Sequence, residues 1–189
     1  MTKLNYSNLR SKVVKYNEIL KNTHNYRKDW SEGLRDEIIE NLKKVIKKTK
    51  LNAYVDIKDD IENLEVISLS LGTEVSGIAE KLPGGNHLPG NHPRRPFIKS
   101  NGSLIFQQLF NGKLMIMIMY PYIEGYGQPK PPMTLEIIRP EEYKPAFMLR
   151  YLETFMKEVI EWEDFDDDVP EKMGMNPIGF SPVNQEHDE

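Results

Sequence analysis

Residues Gly102–Tyr122, GSLIFQQLFNGKLMIMIMYPY, constrain the fold more than any other stretch. Asn111-Gly112 separates two apolar runs, and this dipeptide tolerates the positive φ that both centres of a two-residue type I′ turn require. Such a turn predicts a β-hairpin with Phe110 facing Lys113. Gln108–Met115, Phe106–Met117 and Leu104–Met119 then share one face, and Leu109–Leu114, Gln107–Ile116 and Ile105–Ile118 share the other. A hairpin with one wet side alternates apolar with polar residues, whereas both sides here are largely apolar. The pair therefore belongs in the middle of a sheet. In this register Phe106, Met115, Met117 and Met119 lie together, and flexible, polarisable thioethers suit an adaptable contact surface as well as a core.

Helical periodicity brackets the hairpin. From Ser7 to about Asn22, Leu9, Val13, Tyr16 and Leu20 recur on one stripe, with Lys12, Lys15 and Lys21 off it. HNYRKDWSEG interrupts the pattern, Ser31 offers an N-cap, and Leu34, Ile38, Leu42, Val45 and Thr49 form a second stripe. These two segments predict a helical hairpin lying against the sheet. Near the other end Pro145 suits a first helical position, and Met148, Leu152, Phe155, Val159 and Trp162 make a stripe that a sheet would bury. Alternation marks further strands: Ala53, Val55 and Ile57 against Tyr54 and Asp56; Ile67, Leu69 and Leu71 against Ser68 and Ser70; and Met133, Leu135 and Ile137 against Thr134 and Glu136. Residues 72–101 read as an irregular insertion, much longer than an ordinary connection.

Chemistry is harder to find. No phosphate-cradling glycine loop, nucleophile elbow or His-Glu-x-x-His motif is present, and the lack of cysteine removes disulfides, thiolate nucleophiles and thiolate metal sites. Within PGGNHLPGNHPRRP, His87 and His92 lie five apart with no third donor nearby, which matches no metal-ligand pattern. Together with Arg94 and Arg95 they could instead hold an anion through charge-assisted hydrogen bonds. Tyr122 and Tyr126, beyond the hairpin, could line a pocket. Asp164, Asp166 and Asp168 are spaced like the start of a calcium loop, but Val169 occupies its glycine position and Met175 that of its closing glutamate.

Charge is uneven. Residues 1–50 carry 13 Lys and Arg against 6 Asp and Glu, a net of +7, and the remainder balances to −11. Lys43, Lys44, Lys47, Lys48 and Lys50 concentrate the positive charge where it complements the carbonyls of a helix C-terminus, and such a cluster could also meet phosphates. No apolar run approaches the roughly 20 residues that cross a bilayer.

The sequence thus predicts an α+β fold: a central antiparallel sheet of four or five strands carrying an N-terminal helical hairpin and a C-terminal helix. Residues 1–168 form one domain and 169–189 an irregular C-terminal tail. The expected function is that of a non-enzymatic cytoplasmic protein-interaction module, self-associating through an apolar sheet face, with no cofactor and no metal. Its expected partner is a second copy or another protein. The alternatives are a small-ligand or anion sensor using the 83–96 loop and a nucleic-acid-associated protein using the second helix.

Overall fold

The predicted hairpin sits at the heart of an α+β structure, seen here in a computed structural model that describes residues 5–82 and 94–164. Two N-terminal helices, α1 (Ser7–Asp29) and α2 (Arg35–Thr49), precede β1 (Tyr54–Lys58), β2 (Val66–Ser70), β3 (Thr73–Lys81) and β4 (Arg94–Ser100). The hairpin strands β5 (Ser103–Gln108) and β6 (Leu114–Met119), the short β7 (Tyr122–Ile123), β8 (Met133–Ile138) and the helix α3 (Pro145–Glu163) follow. One antiparallel sheet has the order β1-β2-β5-β6-β8, and β3, β4 and β7 form a smaller one.

The register of β5 and β6 differs by one residue from that expected. Leu104 pairs with Ile118, Phe106 with Ile116 and Gln108 with Leu114. The turn is the reason. Leu109 N donates to Lys113 O at 2.8 Å and Gly112 N to Leu109 O at 2.7 Å, which closes a three-residue loop. Gly112 takes φ +75° while Asn111 stays at negative φ, and the Asn111 Oδ1 accepts from Lys113 N at 3.1 Å. This is the type I turn with a left-handed third residue, the next commonest hairpin connection after the type I′.

A one-residue slip exchanges faces. Here it puts Leu104, Phe106, Leu114, Ile116 and Ile118 on one side, all buried, and sends every Met of β6 to the other. Phe106 therefore does not share a surface with Met115, Met117 and Met119. It is 0% exposed, and its ring meets that of Tyr151 edge-on at 6.3 Å.

Both α2 and α3 cover the Phe106 face. Ile38, Ile39 and Leu42 of α2, and Met148, Tyr151, Leu152, Phe155 and Val159 of α3, are buried in one cluster with Ile67, Leu69 and the hairpin. The stripes predicted for these two helices are buried except at their ends, where Val45 and Trp162 are half-buried and Thr49 is exposed. In β8 a bulge beside Ile116 and Met117 turns Glu136 inward and leaves Ile137 53% exposed, the reverse of their expected order. The inward carboxylate is matched: the Tyr151 hydroxyl donates to it, and Arg150 Nη2 lies 2.7 Å from Glu136 Oε1.

The N-terminal helices are joined by a π-helical turn, Trp30–Leu34, with right-handed helical dihedrals on both sides, so they run on as one helical stretch. Its Trp30 is buried, and the indole Nε1 donates to Glu65 Oε2 at 3.1 Å, an atom that also meets Arg35 Nε at 3.2 Å. α1, unlike α2, buries no residue. The stripe Leu9, Val13, Tyr16 and Leu20, expected against the sheet, faces solvent.

Most of the segment expected to be an irregular insertion is a β-ribbon. Thr73–Val75 of β3 pair with β4 in the register of β2 with β5, which shifts at an irregularity before Ala79, and backbone bonds between Leu71 and Gly102 and between Asn101 and Gly72 carry the ladder across the junction. Gly72 and Gly102, at φ +82° and +88°, make the bend. Lys99 ties the ribbon to the end of α3, with its Nζ 2.6 Å from Glu163 Oε1 and 3.1 Å from Glu74 Oε1.

Candidate interaction surfaces

The second face of the large sheet carries three transverse rows. Lys58, Val66, Gln107, Met115 and Ile137 make the first, Asp56, Ser68, Ile105, Met117 and Thr134 the second, and Tyr54, Ser70, Ser103 and Met119 the third. Its middle is apolar, from Val66 and Ile105 across to the three methionines. These five are half-buried, and none belongs to the hydrophobic cluster beneath α2 and α3. Serines, Gln107 and the exposed Asp56 and Lys58 occupy the β1 side. Sequence reasoning missed Ile105 as a member of this face because the assumed turn gave the wrong pairing, and Ile137 because the bulge in β8 reverses the expected order.

A second apolar surface runs along α1. Leu9, Val13, Tyr16 and Leu20 are 58%, 48%, 60% and 50% exposed. Spacings of four, three and four keep them on one line. Continued along the helix, that line reaches Thr23 and Arg27, where α1 seats on the β5–β6 turn. Arg27 Nη2 donates to Phe110 O at 2.5 Å, and a side chain on Gly112 would begin 2.7 Å from Tyr26 Cβ. Phe110, at the same turn, is 73% exposed. The stripe was legible in the sequence; its lack of a cover was not.

The other predicted positions are scattered. His87 and His92 lie outside the described residues, as does the segment 169–189. Arg94 and Arg95 are exposed on β4, across from Lys81 and Glu80. Tyr122 is 39% exposed, whereas Tyr126 packs its ring 6.1 Å from Phe97. Lys43, Lys44, Lys47, Lys48 and Lys50 all reach solvent from the end of α2, and Lys44 pairs with Glu40 at 3.3 Å.

Polar clusters on the helix side serve packing. Burial pushes the Tyr151 hydroxyl up to about 12, and its bond to the Glu136 carboxylate adds to the shift. Burial also raises Tyr143. For Lys99, burial acts to lower the pKa, but Glu163 and Glu74 outweigh it and the net shift is upward. A shallow cleft of about 490 Å³ lies between α1 and the end of β8, lined by Asn22, Asn25, Tyr26, Asp29, Arg139 and Glu141 among others. None of the predicted site residues lines it. Among the described residues no group of three or more His, Cys, Asp or Glu could hold a metal ion, and no helix is long and apolar enough to cross a membrane.

The fold is α+β, and among the described residues two of its apolar faces have no helix or strand packed over them. No family model, no curated protein and no solved structure matches the chain.

Proposed function

We propose that this chain is a non-enzymatic interaction module of the cytoplasm that self-associates through the open face of its large sheet. One observation carries the reading: Met115, Met117 and Met119, with Ile105 and Val66, form an apolar centre on a face away from both packed helices. Adaptable thioethers at the centre and a polar border of Ser68, Ser70, Gln107 and Thr134 match the layout of a contact surface. A twofold pairing needs the same patch on both copies, which a single self-complementary face supplies.

Native mass spectrometry and light scattering on the full chain test the reading. The expected result is a dimer that Met117→Glu converts to monomer with an unchanged circular dichroism spectrum. A wild-type chain that stays monomeric at high micromolar concentration refutes it.

A nucleic-acid role is a second reading, supported by the common exposure of the five lysines ending α2. Retention on DNA that falls steeply with salt would support it, since phosphate contacts release counterions. No retention at low salt removes it.

A further inference from the structure

The apolar stripe of α1 has no partner within the described fold, and its surroundings are basic. Between Ser7 and Lys21 the helix carries Arg10, Lys12, Lys15 and Lys21 against the single carboxylate of Glu18, and all five side chains are exposed. Arg10 and Lys12 project on the two sides of the line through Leu9 and Val13. A complementary occupant is a segment with several apolar side chains set among carboxylates.

The chain contains such a segment. Residues 165–189 hold seven Asp and Glu against one Lys, a net of −6, together with Met173, Met175, Ile178 and Phe180. We propose that this acidic C-terminal segment docks on the exposed stripe of α1 in the same chain, with its apolar side chains against Leu9, Val13, Tyr16 and Leu20 and its carboxylates toward Arg10 and Lys12.

Reach and size favour the same chain over a second copy. The end of α3 is fixed beside Lys99, before β5 begins, and α1 is seated on the turn after β5 ends. Crossing β5 takes about 20 Å, and the stripe extends about another 20 Å along α1. From Asp164 to Met173 and Ile178 there are 9 and 14 residues, which span up to roughly 30 and 46 Å when extended. Four side chains over less than two heptads give too little contact for tight free association. A tether supplies an effective concentration in the millimolar range, which populates a weak contact. The proposal is independent of the sheet-face reading, since a chain monomeric through its sheet can still hold its own tail.

Zero-length carbodiimide crosslinking tests it, using a mixture of unlabelled and ¹⁵N-labelled full chain at low concentration. The expected products join Lys12, Lys15 or Lys21 to acids in 165–189, within unlabelled or within labelled chains alone. Their yield falls about tenfold in the Leu9→Ser/Tyr16→Ser variant, which leaves every charge in place and changes only exposed positions. It also falls at roughly 0.5 M salt, where screening acts within about 4 Å. Absent crosslinks, crosslinks between labelled and unlabelled chains, or undiminished crosslinks in the double variant each overturn the proposal. So does cosedimentation of α1 with phosphatidylserine vesicles while the tail remains uncrosslinked, because the stripe is then a membrane-surface helix.

Discussion

Gly112→Ala tests how α1 is held to the body. Gly112 has φ +75°, and an added Cβ would lie 2.7 Å from Tyr26 Cβ, 3.0 Å from Thr23 O and 3.1 Å from Arg27 N. Two of these three atoms are helix backbone and cannot rotate away, so α1 must shift as a body. Left-handed strain costs about 1 kcal/mol and forced repacking about 1–3 more, for an expected total near 3 kcal/mol. Gly127→Ala isolates the strain, because Gly127 has φ +73° and nothing within 4 Å of the added carbon. It should cost about 1 kcal/mol.

Urea denaturation followed by fluorescence measures both variants. Trp30, which is 2% exposed just beyond α1, reports any loosening of the helix as a red shift in the folded baseline. The difference between the two costs, about 2 kcal/mol, is the contribution of the α1–turn contact. Equal costs, within about 0.5 kcal/mol, would refute the claim that the turn seats the helix.

The two faces of the hairpin should respond differently to truncation. Phe106→Ala removes a fully buried ring from beneath α3 and should cost about 3–5 kcal/mol, while Met117→Ala, measured at a concentration where the chain is monomeric, should cost about 1. Similar costs would favour the type I′ register instead. Alkaline pH should destabilise the fold. Burial and the bond to Glu136 push the Tyr151 phenol from its ordinary value near 10 up to about 12, so the unfolded chain loses its proton first. The stabilisation tied to that proton is whole below pH 10 and declines as pH rises toward 12, by about 2–3 kcal/mol. Chemical denaturation between pH 9 and 11.5 reads the slope, and Tyr151→Phe should flatten it; an unchanged slope in that variant would sink the assignment.

Periodicity located the helices and strands because it reports which side of an element is apolar, and α2 and α3 bury the stripes it marked. What it could not supply was pairing. Asn111-Gly112 is compatible with two turns that differ by one residue, and their local chemistry is similar. The choice is made by tertiary packing: one register gathers Leu104, Phe106, Ile116 and Ile118 beneath two helices, and the other would split them between faces. The methionine surface was therefore found with the wrong neighbours. The ribbon of β3 and β4 escaped notice for a related reason. It stands off the large sheet with both faces partly wet, so Glu74, Val75, Lys99 and Ile98 do not alternate as strand residues over a core do.

The stripe on α1 poses a different problem, because periodicity reads it clearly and none of the described elements covers it. Helix propensity does not account for its composition. Val13 and Tyr16 are weaker helix formers than Lys, Glu or Ala, with χ1 freedom lost against the preceding turn and no core to offset the loss. Each costs a few tenths of a kcal/mol in an exposed helix, and exposed apolar area adds nothing in return. Those losses are offset where something lies over Leu9, Val13, Tyr16 and Leu20. Since the contacts of α1 with Gly112 come from Thr23, Tyr26 and Arg27 near its C-terminal end, whatever covers the stripe also steadies the helix. Loss of the cover should therefore appear as faster amide exchange from Leu9 to Leu20, with α2 unchanged behind Trp30.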